Sequence, residues 1–274
     1  MNRAHATTLR QVDVGGQWVR VAVRPGTQDG PPLVLCNGIG ASLEILQPFV
    51  DRLDPRIEVV AFDVPGVGGS PLPRLPYNFP LLARFVGRML DSLGYERFDV
   101  LGISWGGALA QQLAFQFPRR CRRAVLAATA AGFLMVPASP AVLWKLTTPR
   151  RHRDAEFAVD NAAELYGGRL RREPELAARV LHRESRAGSR RGYLYQLLAG
   201  AGWTSLPALP LIRQPVLILA GNDDPIIPLA NARAMHRLLP HSTLYVYDDG
   251  HLGLVTMAEE LAPIIGEFLR DEQP

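Results

Sequence analysis

The amino-acid sequence predicts an α/β protein built on one mostly parallel sheet with helices on both faces. Apolar strands alternate with helical segments after an opening hairpin, an order that produces a parallel sheet covered on both sides. At residues 98–117 an apolar strand runs directly into an apolar helix with no loop between them. The chain has 274 residues, enough for one large α/β domain with an insertion.

The first half of the chain contains the hairpin and the first alternating elements. Polar and apolar residues alternate over Val12–Val23 around Gly15 and Gly16, which predicts an antiparallel hairpin. Apolar runs and helical periodicity then predict a strand at Leu33–Cys36, a helix at Leu43–Leu53, a strand at Ile57–Phe62 and a helix at Phe79–Leu93 that Gly94 ends.

The second half continues the alternation but is interrupted by an irregular segment. The predicted elements are a strand at Phe98–Ile103, a helix that Pro118 ends, strands at Ala124–Thr129, Pro215–Ala220 and Thr243–Tyr247, and helices at Leu229–Leu239 and Glu259–Leu269. Between them, residues 131–214 read as irregular apolar and basic helical pieces. We therefore expect a core of residues 1–130 and 215–274, with residues 131–214 inserted as a helical cap.

Composition limits the class of protein. The formal net charge is +4, and the positive excess lies between Lys145 and Arg191. That stretch has neither the interleaved aromatic residues nor the reader motif that nucleic-acid binding needs. Cys36 and Cys121 have neither metal-ligand spacing nor the pattern of a disulfide framework. The first residues lack a signal peptide's apolar core, and the longest apolar stretch, Ala124–Val136, is too short to span a bilayer. We expect a cytoplasmic protein that does not bind nucleic acid.

Ser104 is the candidate nucleophile. It lies in Gly-Ile-Ser-Trp-Gly, at the point where the strand Phe98–Ile103 meets its helix. A serine on so tight a turn has a strained backbone, and small residues at Gly102 and Gly106 let helix and strand approach around it. The pentapeptide alone is a weak signal, and its position between strand and helix is what predicts a nucleophile elbow.

A serine nucleophile needs an imidazole base and a carboxylate that orients it. Of six histidines, only His251 directly follows a predicted strand, so it is the candidate base. The other five lie in the terminal tail, in the insertion or near a helix end: His5, His152, His182, His236 and His241. The strand Pro215–Ala220 ends at Asp223 and Asp224, and spacing alone leaves both open as the acid. Pro225 biases Asp224 toward an extended backbone, whereas an aspartate at position 223 is suited to stabilising the turn.

The oxyanion of an acyl-transfer intermediate needs two aimed backbone N–H groups. The residue after the nucleophile, Trp105, is expected to supply one. The loop Asn37–Ala41 follows an early strand and contains Gly38 and Gly40, so Ile39 is the candidate for the second donor.

These residues together resemble the α/β-hydrolase fold superfamily, and the likeness extends over nearly the whole chain to the intracellular medium-chain-length polyhydroxyalkanoate depolymerases. The segments that carry it are AFDVPGVGGS at Ala61–Ser70, GISWGGALAQQ at Gly102–Gln112, LAATAAG at Leu126–Gly132, AGWTSL at Ala201–Leu206, DDPIIPL and DDGHL. In that family the acid is the aspartate directly before the proline of the DDP motif. The resemblance thus implies an eight-stranded sheet and a triad of Ser104, Asp224 and His251.

The resemblance further implies hydrolysis of a storage polyester of 3-hydroxy fatty acids at the surface of a granule, with no metal or organic cofactor. Apolar residues of the insertion are available to bind such a substrate: Phe133, Met135, Trp144 and Trp203. Four arginines, Arg150, Arg151, Arg171 and Arg172, either contact the granule or form a solvated face. An esterase or carbon–carbon bond hydrolase acting on a soluble small molecule stays open, because the same triad serves those reactions. A binding protein without turnover is the alternative of another class.

Overall fold

The computed structural model describes residues 7–27, 30–147, 155–181 and 189–271. Eight strands lie in this part of the chain: β1 (Thr8–Val14), β2 (Gln17–Arg24), β3 (Leu33–Cys36), β4 (Val59–Phe62), β5 (Phe98–Ile103), β6 (Cys121–Ala127), β7 (Val216–Gly221) and β8 (Ser242–Tyr247). They form one sheet in the order β1-β2-β4-β3-β5-β6-β7-β8. The first two pairings, β1 with β2 and β2 with β4, are antiparallel, and the remaining pairings are parallel. The predicted mostly parallel sheet is confirmed.

Register aligns the carboxyl ends of the central strands. Leu101 of β5 lies opposite Leu35 of β3 on one side and opposite Val125 of β6 on the other, and Val125 in turn lies opposite Leu217 of β7. These side chains are buried, as expected for strands covered on both faces. The loops that follow β3, β5, β7 and β8 therefore meet at one edge of the sheet, where ligands bind in folds of this type.

Helices cover both faces, as the sequence predicted. The α-helices of the described residues are α1 (Gln47–Val50), α2 (Phe79–Leu93), α3 (Trp105–Gln116), α4 (Pro140–Thr147), α5 (Ala155–Asp160), α6 (Ala162–Tyr166), α7 (Gly168–Arg172), α8 (Pro174–Leu181), α9 (Arg190–Gly200), α10 (Leu229–Leu238), α11 (Gly253–Thr256) and α12 (Ala258–Arg270). Apolar side chains of α2, α3 and α10 pack on one face of the sheet, and those of α1, α11 and α12 pack on the other. None of the helices in the described part of the chain is long and apolar enough to cross a membrane.

The helix predicted over Leu43–Leu53 is wrong in type and length. The chain instead forms a 3₁₀ turn at Leu43–Leu46, followed by the single turn of α1. Pro48 explains the break, because it lacks the N–H that would continue the hydrogen bonds of a helix begun at Leu43. The strand predicted over Ala124–Thr129 ends earlier, at Ala127, because Ala128 has a φ of +44°.

In the described part of the chain, α4 to α9 lie between β6 and β7. Of these helices, α4 to α8 share a cluster of buried apolar side chains that also includes Ile226 and Leu252, which follow β7 and β8. The backbone N–H of His251 donates to the carbonyl of Tyr166, at the end of α6. The segment between β6 and β7 is thereby joined to the carboxyl edge of the sheet.

Candidate active site

Ser104 occupies the turn between β5 and α3 in a conformation that few non-glycine residues adopt, with φ +55° and ψ −120°. Its backbone is held on both sides, since its N–H donates to Ala127 O and its carbonyl accepts from Thr129 Oγ1 at 2.8 Å. A Cβ at Gly106 would lie 2.0 Å from the carbonyl oxygen of Cys36. The elbow therefore needs glycine where the sequence has it.

His251 and Asp224 lie together after β8 and β7. His251 Nδ1 and Asp224 Oδ2 are 2.8 Å apart, and both residues are buried. The other carboxylate oxygen of Asp224 accepts from the backbone N–H groups of Ile226 and Ile227, each at 2.9 Å. Three hydrogen bonds thus fix the carboxylate in one orientation against the imidazole.

Asp223 faces away from His251. Its Oδ2 accepts from the Gly168 backbone N–H at 2.7 Å, and its carboxylate pairs with Arg171. The two neighbouring aspartates therefore have different partners, the histidine for Asp224 and the α6–α7 segment for Asp223.

Asp249 makes a second connection to the α6–α7 segment. Its carboxylate accepts from the backbone N–H of Arg169 at 2.6 Å and from Thr256 Oγ1 at 2.5 Å. Burial and the carboxylates of Asp224 and Asp249 raise the pKa of Tyr247, so its hydroxyl keeps its proton and donates to the Gly250 carbonyl. The loop that carries His251 is thus held from several sides.

The loop after β3 lies against the serine. A Cβ at Gly38 would lie 3.7 Å from Ser104 Cβ, and Gly40 has a φ of +74° that favours glycine. Asn37 supports the loop through Nδ2, which donates to the Ser42 carbonyl at 3.0 Å.

Asp63, which follows β4, is fully buried. It accepts from the Leu43 backbone N–H and pairs with Arg20. Burial raises the pKa of Asp63 despite these contacts.

A cavity of about 50 Å³ opens beside Ser104 and His251. Its remaining walls are mostly apolar and come from the Gly38 loop, the 3₁₀ turn, α6 and α11: Gly38, Ile39, Ala41, Ile45, Leu46, Ile103, Tyr166, Leu252 and Val255. This volume exceeds the roughly 10–15 Å³ that a single water molecule needs. The cavity is suited to an aliphatic chain next to a polar reacting group.

The four residues predicted to bind substrate do not line this cavity. Phe133 and Trp144 are 70% and 77% exposed, and Met135 is half-buried. Trp203 packs against Phe79 and donates from Nε1 to Gln112 Oε1. The Trp105 ring also packs against Phe79, and its Nε1 donates to the Gln196 carbonyl on α9. Trp105 does not line the cavity.

Several other residues singled out in the sequence have a definite place or lie outside the described ranges. Cys36 and Cys121 are buried free thiols. His236 contacts Ser242 at the surface. Arg171 and Arg172 pair with Asp223 and Asp248. Arg150, Arg151, His5, His152 and His182 lie outside the described residues. Among the residues that the structure describes, no three His, Cys, Asp or Glu side chains are grouped to hold a metal ion.

Gln196 is the residue at this site that sequence reasoning missed. Its side chain lies on α9 and contacts the Gly38 loop through Gly40. No motif marks it, because its neighbours in the sequence are ordinary helix residues and its partner is 156 positions away.

Comparison with known proteins agrees with the observed fold. A family model described as "alpha/beta hydrolase fold" matches residues 31–256. The chain belongs to the alpha/beta hydrolase fold family. It is 52% identical over 265 residues to a poly(3-hydroxyalkanoate) depolymerase of Ectopseudomonas oleovorans, covering 97% of this chain and 93% of that protein. The family resemblance predicted from the sequence is confirmed.

The chain is also similar to proteins named as enol-lactonases. The chain is 30% identical over 233 residues to 3-oxoadipate enol-lactonase 2 of Acinetobacter baylyi, covering 84% of this chain and 85% of that protein. The solved structure of an enol-lactonase from Burkholderia xenovorans LB400 superposes with a TM-score of 0.81 at 22% identity, covering 96% and 100% of the two chains. This second likeness concerns the fold.

Proposed function

We propose that this protein is a serine hydrolase that cleaves the ester bonds of medium-chain-length poly(3-hydroxyalkanoate), releasing 3-hydroxyalkanoic acids or oligomers. The observation that carries the proposal is the full-length identity of 52% to a poly(3-hydroxyalkanoate) depolymerase. His251, which is hydrogen-bonded to Asp224, lines the same cavity as Ser104, and this arrangement supports the chemistry. No metal or organic cofactor is part of the proposal.

The proposed reaction has two acyl-transfer steps. His251 takes the proton of Ser104 as its hydroxyl oxygen attacks the ester carbonyl, and Asp224 holds the imidazole by accepting from Nδ1–H. The protonated His251 then donates to the departing alkoxide, leaving an acyl-enzyme. In the second step His251 takes a proton from water, whose oxygen attacks the acyl carbon, and the proton returns to Ser104 as the acid departs.

Two backbone N–H groups are available for the oxyanion in this proposal. Among the described residues, the N–H groups of Gly40 and Ala41 have protein acceptors, whereas those of Ile39 and Trp105 have none. Both residues adjoin Ser104, Trp105 in the chain and Ile39 on the shared cavity wall. Unpaired N–H groups at this place are what an oxyanion hole requires.

The apolar cavity fits the proposed substrate. Each unit of a medium-chain-length polyester carries an alkyl side chain next to its ester. A mostly apolar cavity that opens beside Ser104 suits such a side chain. Leu46 and Leu252 form buried parts of its wall, so no charged group has to be desolvated when the side chain enters.

The proposed cap, residues 131–214, has an apolar outer surface that suits contact with polymer. Exposed apolar side chains lie on the segment after β6, on α4 and on α9: Phe133, Leu134, Val136, Leu143, Trp144, Leu194, Leu197 and Leu198. An apolar surface of this kind on a protein marks an interaction site. We take this surface, with the surface arginines Arg171 and Arg172, as the side that faces a cytoplasmic polyester granule.

The test uses purified protein on emulsified medium-chain-length polymer, with released 3-hydroxy acids identified by mass spectrometry and p-nitrophenyl octanoate as the soluble comparison. Wild type is expected to release acids from polymer, and Ser104→Ala is expected to lose both activities. The double variant Phe133→Ser, Leu134→Ser is expected to keep turnover of the soluble ester and to sediment less with polymer granules. Leu75→Ser, which changes a side chain 75% exposed on the core, is the matched control.

A soluble small-molecule ester is the second candidate substrate. The modest cavity volume favours it, because a small acyl group fills the cavity without any contact to polymer. Turnover of p-nitrophenyl esters together with no release of acid from polymer would support this candidate and contradict depolymerisation.

A further inference from the structure

Gln196 connects α9 to both parts of the proposed oxyanion hole. Its Oε1 accepts from the Gly40 backbone N–H at 2.8 Å, and its backbone carbonyl accepts from Trp105 Nε1 at 2.9 Å. Gln196 is 1% exposed, so water does not compete for these contacts. One buried residue of the proposed cap thus touches the loop of Ile39 and the residue that follows Ser104.

The orientation of the Gln196 amide is fixed by its partner. The Gly40 N–H is a donor, so the atom that faces it has to be oxygen. Nε2 consequently points away, and it is buried with no hydrogen-bond partner in the part of the chain that the structure describes. Buried donors without partners are rare because they lose their hydration without replacement. An apolar side chain of the same length would avoid that cost, so the contact of Oε1 with Gly40 is the role that the amide fulfils.

The Gly40 contact restrains the peptide group next to the proposed oxyanion donor. Gly40 N–H and Ile39 C=O belong to one peptide plane, and the Ala41 N–H closes the same turn on the Gly38 carbonyl. The φ of +74° at Gly40 shows that this turn is built on glycine, which alone has little preference between alternative backbone conformations. If the Gly40 N–H lost its acceptor on Gln196, no other side-chain hydrogen bond among the described residues would hold the Ile39–Gly40 peptide plane.

We propose that Gln196 is a positioning residue that aims the Ile39 N–H at the oxyanion by holding the Ile39–Gly40 peptide plane. The inference rests on the proposed serine hydrolase mechanism. It also assigns α9 a double role, because its exposed Leu194, Leu197 and Leu198 lie on the surface proposed to meet polymer while Gln196 faces the reacting centre.

Three substitutions separate positioning from simple packing. Gln196→Met keeps the length and removes the acceptor. Gln196→Asn keeps an amide but is one methylene too short to reach Gly40. Gln196→Glu keeps an oxygen that accepts from Gly40. The matched control is Gln214→Met. Gln214 is also a buried amide: its Nε2 donates to Ala114 O, and its Oε1 has no hydrogen-bond partner among the described residues. It precedes β7, at the opposite edge of the sheet from the proposed site.

The assay measures kcat and KM on a p-nitrophenyl ester and on the matching thionoester. Sulfur is a weak hydrogen-bond acceptor, so an aimed donor accelerates the ester more than the thionoester. Removing one oxyanion donor costs about 10²- to 10³-fold in kcat, and a misaimed donor is expected to cost about 10- to 100-fold. We expect that loss for the Met and Asn variants, with KM within about twofold of wild type and the ester-to-thionoester ratio reduced by a similar factor.

The outcomes are distinct. Gln196→Glu and Gln214→Met are expected to keep a ratio within about threefold of wild type, and thermal unfolding checks that each variant folds. If the Met variant does not fold, the Asn variant decides. A folded Met or Asn variant with the wild-type ratio, or an equal loss on both substrates, would overturn the positioning role. Wild-type turnover of soluble ester without turnover of polymer contradicts depolymerisation alone, whereas no ester turnover at all contradicts both proposals.

Discussion

Replacing Asp224 by asparagine is the sharpest test of the proposed triad, because the structure fixes how the amide must lie. Two backbone N–H groups, of Ile226 and Ile227, point at Oδ1. The asparagine oxygen has to occupy that position, which leaves the NH₂ group facing His251 Nδ1. Nδ1 then has to accept, so the imidazole proton moves to Nε2. An imidazole protonated at Nε2 cannot take the proton of Ser104.

The size of the effect follows from the cost of the opposite amide orientation. Flipping the amide would restore an acceptor for Nδ1–H but would leave two buried N–H groups facing another donor. Each unsatisfied group costs about 1–3 kcal/mol, so the flip costs roughly 2–6 kcal/mol. At about 1.4 kcal/mol per factor of ten, kcat is expected to fall between roughly 30-fold and 10⁴-fold. The measured loss for this change in a related triad, about 10⁴-fold, lies at the upper end of that range.

The assay is steady-state hydrolysis of p-nitrophenyl octanoate, with urea unfolding as the check on folding. Asp223→Asn is the matched control, because its oxygen can still accept from the Gly168 N–H and its side chain is 43% exposed. We expect the control to stay within about threefold of wild type, since a rim carboxylate makes no contact with His251. A folded Asp224→Asn enzyme with kcat within threefold of wild type would refute the reasoning, as would an equal loss in the control.

Three further expectations concern stability and the elbow. Ser104→Gly is expected to abolish ester turnover. Its free energy of unfolding is expected to exceed that of Ser104→Ala by about 1 kcal/mol, because glycine relieves the strain of φ +55°. Equal urea midpoints for the two variants would contradict the strain. Gly106→Ala is expected to destabilise by more than about 3 kcal/mol or to prevent folding, since its Cβ would meet Cys36 O at 2.0 Å; a wild-type melting temperature would argue against that contact. Arg171→Met is expected to change stability by less than about 1 kcal/mol because its ion pair with Asp223 is about half exposed, and a loss above 2 kcal/mol in urea unfolding would show a buried role.

The sheet and the elbow could be predicted because local rules and tertiary packing agree there. Residues 98–116 contain an apolar strand, a strained serine and an apolar helix in one continuous stretch, and each part requires the next. Leu43–Leu53 shows the opposite case. Its apolar spacing fits a helix, but Pro48 divides it and the halves pack separately against the sheet.

The partners of polar groups could not be predicted from local sequence. Asp223 and Asp224 are adjacent and chemically identical, and the choice between them depends on which one meets His251, 27 positions after Asp224. Asn37 and Gln196 both support the Gly38 loop, and only the fold brings Gln196 there. Hydrogen-bond partners far apart in sequence leave no periodicity, so such contacts are visible only in three dimensions.

The segment between β6 and β7 contributes to the alignment of the site as well as to its cover. The backbone N–H of His251 donates to Tyr166 O at 2.8 Å, and a Cβ at Gly250 would lie 1.8 Å from that same oxygen. Gly167 packs equally closely on the backbone of Asp223. The loops that carry the proposed acid and base are therefore fitted against α6 and α7 at one end, while Gln196 on α9 meets the Gly38 loop at the other. Substrate binding that displaced this segment would move both the proposed base and the proposed oxyanion donors, so we expect substrate to enter without opening these contacts.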